Sequence, residues 1–337
     1  MPEWLIERGI GETRAALIDD GEIVAARVEL DGVIAAGSII RARLASTGVN
    51  GRNAVAIGDG GGEYLLPRGA PGVTQGATLT IEVTRERIPG AEPWKRPLGR
   101  VTEDLPTSIG ALAGQIGGRA LAFPAPRDHL GDAGWNDLLD EARTGTITFA
   151  GGELRLSATP AMTLIDVDGH LGPGELAVLG ASAAAAAITR LDIGGSIGID
   201  LPTAGSKAAR QAAAAAIDEL LPQPFERTAV NGFGFVQIVR PRTRASLLEL
   251  AHDRAPFEAR ALLRMAALGL PGPRRLVAHP AVIAVVERNG DFDPTLYDEV
   301  KSFRGLLFVE DDLSFAVIGD ALTGQIHQGV FHFTRRT

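Results

Sequence analysis

Two short apolar runs each end in aspartate, and these aspartates are the residues best placed to do chemistry. Asp166 and Asp168 close the run at 163–169, and Asp200 closes the run at 195–200. Carboxylates at the ends of neighbouring strands can hold a divalent ion, and Mg²⁺ typically takes one or two of them together with water and substrate phosphate. The ion would polarise that phosphate and orient a hydroxide for in-line attack. The pattern therefore predicts a metal site at Asp166 and Asp200, the alternative being that both side chains only cap turns.

Arginines follow a third apolar run and could bind the phosphate of such a substrate. The run at 230–239 continues into Arg240, Arg242 and Arg244, whose alternate spacing suits the exit of a strand. Charged runs are commonly solvated surface, and this alternative stays open for these arginines. It also stays open for a second basic group, formed by Arg85, Arg87, Lys95, Arg96 and Arg100.

The aspartates and the three arginines lie in a stretch that alternates between strand and helix patterns. Gly172-Pro173-Gly174 opens the first helix, with proline placed as at a helix start. Strands that alternate with helices are typical of an α/β sheet with parallel pairing. The predicted elements are a strand at 162–168, a helix at 172–190, a strand at 196–201, a helix at 206–221 and a strand at 229–239.

The N-terminal third has the pattern of short strands with glycine-rich turns. Residues 3–30 predict two strands joined by a turn at Asp19-Asp20-Gly21. The short strands between residues 37 and 83 predict a small barrel of the OB type. Tyr64 within this barrel could stack a base, as in single-strand binders, or could be a half-buried strand aromatic.

Composition restricts the classes of function. Of the 337 residues, 45% are hydrophobic and 22% are charged, and no apolar run approaches the length of a membrane span. The net charge of −8 argues against a protein that coats nucleic acid through an overall basic surface, so such binding depends on local patches. The chain has no cysteine, which excludes disulfides and thiolate zinc sites. No secretory signal pattern is present, and we expect a cytoplasmic protein without a membrane partner.

Three motifs in this order resemble the catalytic segment of the ribonuclease E and G endonucleases. The first is Ile165-Asp166-Val167-Asp168, and the second runs from Arg190 to Leu201 through Asp192-Ile193-Gly194-Gly195. The third runs from Phe233-Gly234-Phe235 to Arg240-Pro241-Arg242. The resemblance is best over residues 150–247, and weaker similarity extends to both sides.

The resemblance implies a Mg²⁺-dependent endoribonuclease that cleaves single-stranded RNA in RNA processing or decay, with Mn²⁺ as an alternative ion. It makes Asp166 and Asp200 the metal ligands and puts Asp168 at the position of an assisting asparagine, so that these three form the expected catalytic set. The expected RNA-binding residues are Tyr64, Lys95, Arg96, Arg240, Arg242 and Arg244.

The predicted fold class is α/β, or α+β over the whole chain, with four parts. A small OB-type β-barrel near the N-terminus would bind RNA, and an α/β domain with a mixed sheet would carry catalysis. The parts are an N-terminal hairpin packed on the catalytic body (1–30), the barrel (31–100), the catalytic domain (101–250) and a small α/β C-terminal domain (251–337).

Departures from the family pattern indicate a compact, divergent member. Thr203 stands where the family often has a second aspartate, and His252-Asp253-Arg254-Ala255 replaces its cysteine-containing zinc link. Neither zinc nor a zinc-linked dimer is therefore expected, and the oligomeric state stays open. Two alternatives also stay open: an RNA-binding protein that has lost catalysis, and a metal hydrolase unrelated to RNA.

Overall fold

A computed structural model of the protein describes residues 1–89, 95–108, 112–268, 275–287 and 316–318. The described chain is a mixed α+β fold with a closed five-stranded barrel in its N-terminal region and further sheets. Within these ranges, no helix has the length and apolar character needed to cross a membrane.

The N-terminal sheet contains three strands from residues 3–30, where two were predicted. The chain reverses at residues 9–11, where Gly11 has a φ of 77°, a left-handed conformation that glycine adopts without strain. The second reversal, at Asp20-Gly21, lies in the predicted turn. A parallel strand from farther along the chain joins the first strand, giving the order β3-β2-β1-β9. The strands are β1 (Glu3–Arg8), β2 (Glu12–Asp19), β3 (Glu22–Leu30) and β9 (Arg119–Leu121).

The barrel closes around alternate residues of its strands. Leu44, Leu66, Ile81 and Val83 point inward and are completely buried. The strand order is β4-β5-β6-β8-β7, closed by pairing of the first and last, and β6 pairs with β8 in parallel. The strands are β4 (Ile39–Ser46), β5 (Ala54–Gly58), β6 (Glu63–Leu66), β7 (Thr78–Arg85) and β8 (Leu98–Val101).

Three short helices connect the barrel to the larger sheet. Trp135 and Leu138 of the last of them are buried in the main core. The helices are α1 (Leu112–Ile116), α2 (His129–Asp132) and α3 (Trp135–Thr144).

The larger sheet has six strands in the order β10-β11-β12-β13-β15-β14. The predicted parallel pairing is confirmed for β12 and β13, but β15 runs antiparallel to β13. The reason is the short strand β14, which runs in the same direction as β13. The turn at Asn231–Gly234 then reverses the chain, so that β15 runs in the opposite direction. The strands are β10 (Thr146–Phe149), β11 (Gly152–Ala158), β12 (Thr163–Gly169), β13 (Gly195–Asp200), β14 (Glu226–Arg227) and β15 (Phe235–Arg240).

Two helices, α4 (Pro173–Arg190) and α5 (Lys207–Leu220), cover one face of this sheet. Small residues let α4 approach closely: a Cβ atom on Gly180 would lie 2.3 Å from Cγ1 of Val167. Ile165 and Ile199, on the same sheet face as Val167, are completely buried. Alternation along the strands therefore sends every second side chain to the opposite face, which no described helix covers.

Only part of the predicted C-terminal domain (251–337) falls within the described residues, since 269–274, 288–315 and 319–337 lie outside them. Leu262 and Leu263 pack with Val282 and Val286 in a small core that also includes Ile10 from the turn between β1 and β2. The described elements are α6 (Leu247–His252), α7 (Arg254–Leu268), β16 (Arg275–Val277), α8 (Pro280–Glu287) and β17 (Ala316–Ile318).

Candidate functional site

Asp166 and Asp200 lie directly opposite each other on the parallel pair β12 and β13. Both side chains are exposed, whereas Ile165 and Ile199, one position earlier on each strand, are buried against the helices. Adjacent strands lie about 4.8 Å apart, so the two carboxylates project from the same face within reach of a single ion. The predicted pair is thus brought together on the open face of the sheet.

Asp168 projects from the same face, two residues beyond Asp166. The pKa of Asp166 is raised, first by partial burial and then by the negative charges of Asp168 and Asp200, while Arg155 acts in the opposite direction. Like charges raise a carboxyl pKa because they disfavour its ionised form. A bound cation would relieve this repulsion, so the electrostatics of the cluster favour a positively charged ligand.

Arg155 is a site residue that sequence reasoning missed. It lies on β11 directly opposite Asp166, and its Nη1 is 3.4 Å from Oδ2 of Asp168. Its pKa is raised, mainly by a hydrogen bond to Glu153 and then by the neighbouring carboxylates. The sequence did contain a signal for Arg155, because two adjacent apolar runs at 146–157 predict a hairpin. Pairing of this hairpin with β12 places Arg155 on the same face of the sheet as the aspartates.

An apolar floor lies beside the carboxylates on the same face. Gly198 pairs with Leu164 on one side and Gln237 on the other. A Cβ atom on Gly198 would lie 2.6 Å from Cζ of Phe235 and 3.0 Å from Cδ2 of Leu164, so both side chains close over the glycine. Phe235 is itself the strand partner of Asp200. The site therefore combines hard oxygen ligands with an adjacent apolar surface.

The three arginines at the end of β15 and just after it do not lie beside the aspartates. Arg240 is opposite Gly195, at the far end of β13 from Asp200, a separation of about 16 Å at 3.3 Å per residue. The expected proximity of these arginines to the aspartates is wrong, because β15 runs antiparallel to β13 and therefore ends at the opposite edge of the sheet. Arg242 donates to Glu249 of the α6 capping box, and Nε of Arg244 is 3.7 Å from Asp192.

Tyr64 was predicted either to stack a base or to be a strand aromatic packed in the barrel, and it takes the second position while also contributing to the lining of the cleft beside the barrel. The side chain is only 5% exposed and packs in the barrel core with Leu66 and Ile81. Burial also raises the pKa of its hydroxyl. Its inward position follows from strand alternation, which places Leu66, two residues later, on the same side.

Lys95 and Arg96 lie on a large cleft beside the barrel, with a volume of about 1060 Å³. Two further cations line it, Arg41 on β4 and Arg87 after β7, and both are exposed. Neither Arg41 nor Arg87 forms an ion pair with another residue of the described ranges. Arg96 is paired with Glu63 at 2.5 Å. Beside Lys95 and Arg96, the cleft thus presents two guanidinium groups that form no ion pair within the described ranges, on a wall that also carries Asp31 and Asp59.

The oxygen donors at 166 and 200 fit magnesium, which prefers carboxylates and keeps several waters. Across the described part of the chain, no cluster of three or more His, Cys, Asp or Glu side chains is arranged to hold a metal. A magnesium site with one or two carboxylates does not require such a cluster. The exposure of both aspartates leaves room for water and for phosphate oxygens.

Comparison with known proteins identifies no family for this chain. No protein-family model matches the sequence, and no curated protein is significantly similar to it.

Proposed function

We propose that this protein is a compact, divergent endoribonuclease of the ribonuclease E/G type, which cleaves single-stranded RNA with Mg²⁺ or Mn²⁺. The observation that carries the proposal is the in-register pair Asp166 and Asp200 on the open face of the sheet. The motifs around this pair resemble that family and supply the identity of the substrate. A cytoplasmic location and a role in RNA processing or decay belong to the same proposal.

Asp166 and Asp200 would hold the ion, whose chemistry is to polarise the scissile phosphate and lower the pKa of bound water. Asp168, on the same face, would accept a hydrogen bond from the attacking water and so orient it. Arg155 would exchange its 3.4 Å contact with Asp168 for a phosphate oxygen of the substrate. A guanidinium suits this role because its fork of donors matches phosphate geometry.

The barrel would hold the RNA strand as an OB-type module. Five strands in a non-sequential order with one parallel pair are consistent with that Greek-key architecture. In OB barrels the second and third strands and the loop between the last two strands contact nucleic acid. Here the cleft is lined by β6 and by residues of the β7–β8 connection, including Arg87, Lys95 and Arg96.

The proposal is tested by incubating the purified protein with labelled, unstructured RNA, with and without Mg²⁺. We expect discrete cleavage products only in the presence of Mg²⁺ or Mn²⁺, because two carboxylates without the ion lack the charge needed to stabilise the reacting phosphate. Chelation with EDTA should stop the reaction, and renewed Mg²⁺ should restore it. Products that form equally well in EDTA would contradict the metal-dependent mechanism.

A second function, RNA binding without catalysis, is favoured by one specific observation. The cleft that carries Arg41, Arg87, Lys95 and Arg96 is lined by the barrel and its flanking segments, with Asp31, Asp59 and Glu63 among them, and it includes neither Asp166 nor Asp200. This function predicts binding that weakens as salt rises, since phosphate contacts release counterions, but no Mg²⁺-dependent product. The same experiment therefore separates the two functions.

Arg41→Ala is expected to weaken RNA binding and to reduce the slope of log K against log salt by about 0.7, the value for one phosphate contact with a single strand. Arg43→Ala is the matched control, since Arg43 is exposed on the same face of β4 but does not line the cleft. Fluorescence anisotropy over a salt series measures both slopes. Equal slopes in the two variants would show that the cleft is not the RNA path.

A further inference from the structure

Phe233 is an exposed aromatic side chain held at a fixed place beside the carboxylates. It is 83% exposed and is the one aromatic among the large hydrophobic side chains that stand exposed in the described ranges. Burial of a phenylalanine ring is favourable, so leaving this ring in water does not stabilise the fold. The ring is therefore available to a ligand that contacts this end of the sheet.

The turn that carries Phe233 is tightly hydrogen-bonded. Oδ1 of Asn231 accepts from the backbone N–H of Phe233 at 2.9 Å and from that of Phe235 at 3.1 Å. Gly234 has a φ of 97°, and a Cβ atom there would lie 2.1 Å from the carbonyl oxygen of Leu201. Glycine is thus required at the position that follows the exposed ring, and the backbone that carries the ring is well defined.

The same turn is tied to the segment that follows Asp200. The N–H of Leu201 donates to the carbonyl of Gly234 at 3.3 Å, and the Thr203 hydroxyl donates to the carbonyl of Phe233 at 3.1 Å. Because Phe235 pairs with Asp200 and Phe233 is held in the turn directly before Phe235, the ring is carried by backbone next to that carboxylate. A nucleotide whose phosphate reaches Asp200 therefore has a base within reach of Phe233.

We propose that Phe233 stacks on an unpaired base next to the scissile phosphate, and that the apolar floor of Leu164 and Phe235 lies against the same nucleotide. This inference rests on the proposed function, because it takes RNA as the substrate. The chemistry fits a nucleotide: an apolar aromatic surface adjoins carboxylates suited to a phosphate-bound cation. Stacking on an aromatic ring needs a splayed, single-stranded base and is tolerant of base identity.

The test uses RNAs that carry one 5-iodouracil, moved along the strand, and photocrosslinking with Ca²⁺ in place of Mg²⁺, because the carboxylates need a divalent cation before a phosphate can lie beside them. We expect one position to crosslink to the peptide containing Phe233. Phe233→Ala should weaken binding of the same RNA about 5- to 160-fold, the range that corresponds to a base-stacking free energy of about 1–3 kcal/mol. Phe233→Tyr should retain wild-type binding, and Leu220→Ala, which removes a hydrophobic side chain that is 48% exposed on α5, is the matched control.

The outcomes separate this inference from the proposed nuclease activity. A crosslink at Phe233 without any Mg²⁺-dependent product supports the stacking site and contradicts the nuclease. Cleavage by the wild type, with no crosslink at Phe233 and unchanged binding in Phe233→Ala, overturns the stacking site and leaves the nuclease standing. If RNA does not bind at all, both proposals are wrong.

Discussion

Asp200→Asn is expected to reduce Mg²⁺-dependent cleavage of unstructured RNA by about a hundredfold or more, since each 1.36 kcal/mol of lost transition-state stabilisation is tenfold in rate and a catalytic ion supplies several kcal/mol. Asp200 is exposed at the end of β13 and makes no side-chain ion pair within the described ranges, so its amide replacement removes charge without leaving a buried partner unsatisfied. Single-turnover cleavage with saturating protein measures the chemical step. Thermal unfolding should give the same midpoint as the wild type.

Asp168→Asn is the matched comparison for this experiment. It also removes one negative charge from the same face, but it creates the residue that the family resemblance places there. Because Asp168 helps to raise the pKa of Asp166, its removal should lower that pKa and extend metal-dependent activity to lower pH. An equal loss of activity in Asp168→Asn and Asp200→Asn would contradict the assignment of the ion to Asp166 and Asp200 alone. Undiminished cleavage by Asp200→Asn would remove the metal site altogether.

The carboxylate pair was predictable because it depends on local patterns. Each aspartate follows an apolar run, and the intervening helix forces a crossover that makes the two strands parallel. Parallel neighbours end at the same edge of the sheet, which brings Asp166 and Asp200 together. The strands β12 and β13 and the helix between them therefore follow from the spacing and hydrophobicity of the sequence alone.

The position of the arginines was not predictable in the same way. Arg240 would lie near Asp200 if β15 were parallel to β13, and only the two-residue strand β14 reverses that direction. A strand this short has no periodicity by which a sequence could reveal it. Tyr64 shows the related limit, since its inward position depends on the register of the barrel and not on residue type. Arg155 was missed for the same reason, because cross-strand neighbours depend on register.

Arg264→Met is expected to lower the free energy of unfolding by about 3–5 kcal/mol, the cost of breaking a buried ion pair by removing one partner. The side chain is 2% exposed, and its Nε donates to Glu7 at 2.8 Å while its Nη1 donates to Asp128 at 3.0 Å. Methionine fills most of the volume, so the loss reports charge more than cavity formation. Denaturant unfolding followed by circular dichroism measures the change.

The expected loss of stability is this large because the Glu7–Arg264 ion pair belongs to a larger network of charged side chains. Glu7 also accepts from Arg14 at 2.7 Å, and Glu12 accepts from Arg14 at 2.7 Å and from Arg260 at 2.9 Å. The substitution would leave two arginines facing three carboxylates in the interior between the N-terminal sheet and α7. The network then consists of Glu7, Glu12, Arg14, Asp128 and Arg260.

Arg127→Ala is the surface control for the same unfolding experiment. Arg127 pairs with Asp132 at 2.7 Å, but its side chain is 72% exposed, and solvent-exposed pairs contribute about 0–1 kcal/mol.

Glu7 and Arg264 are 257 positions apart in the chain, so their contact fastens the first strand to a helix of the C-terminal region. A loss in Arg264→Met no larger than that in Arg127→Ala would mean that this fastening depends on apolar packing around Ile10 and Leu263 instead of on the ion pair.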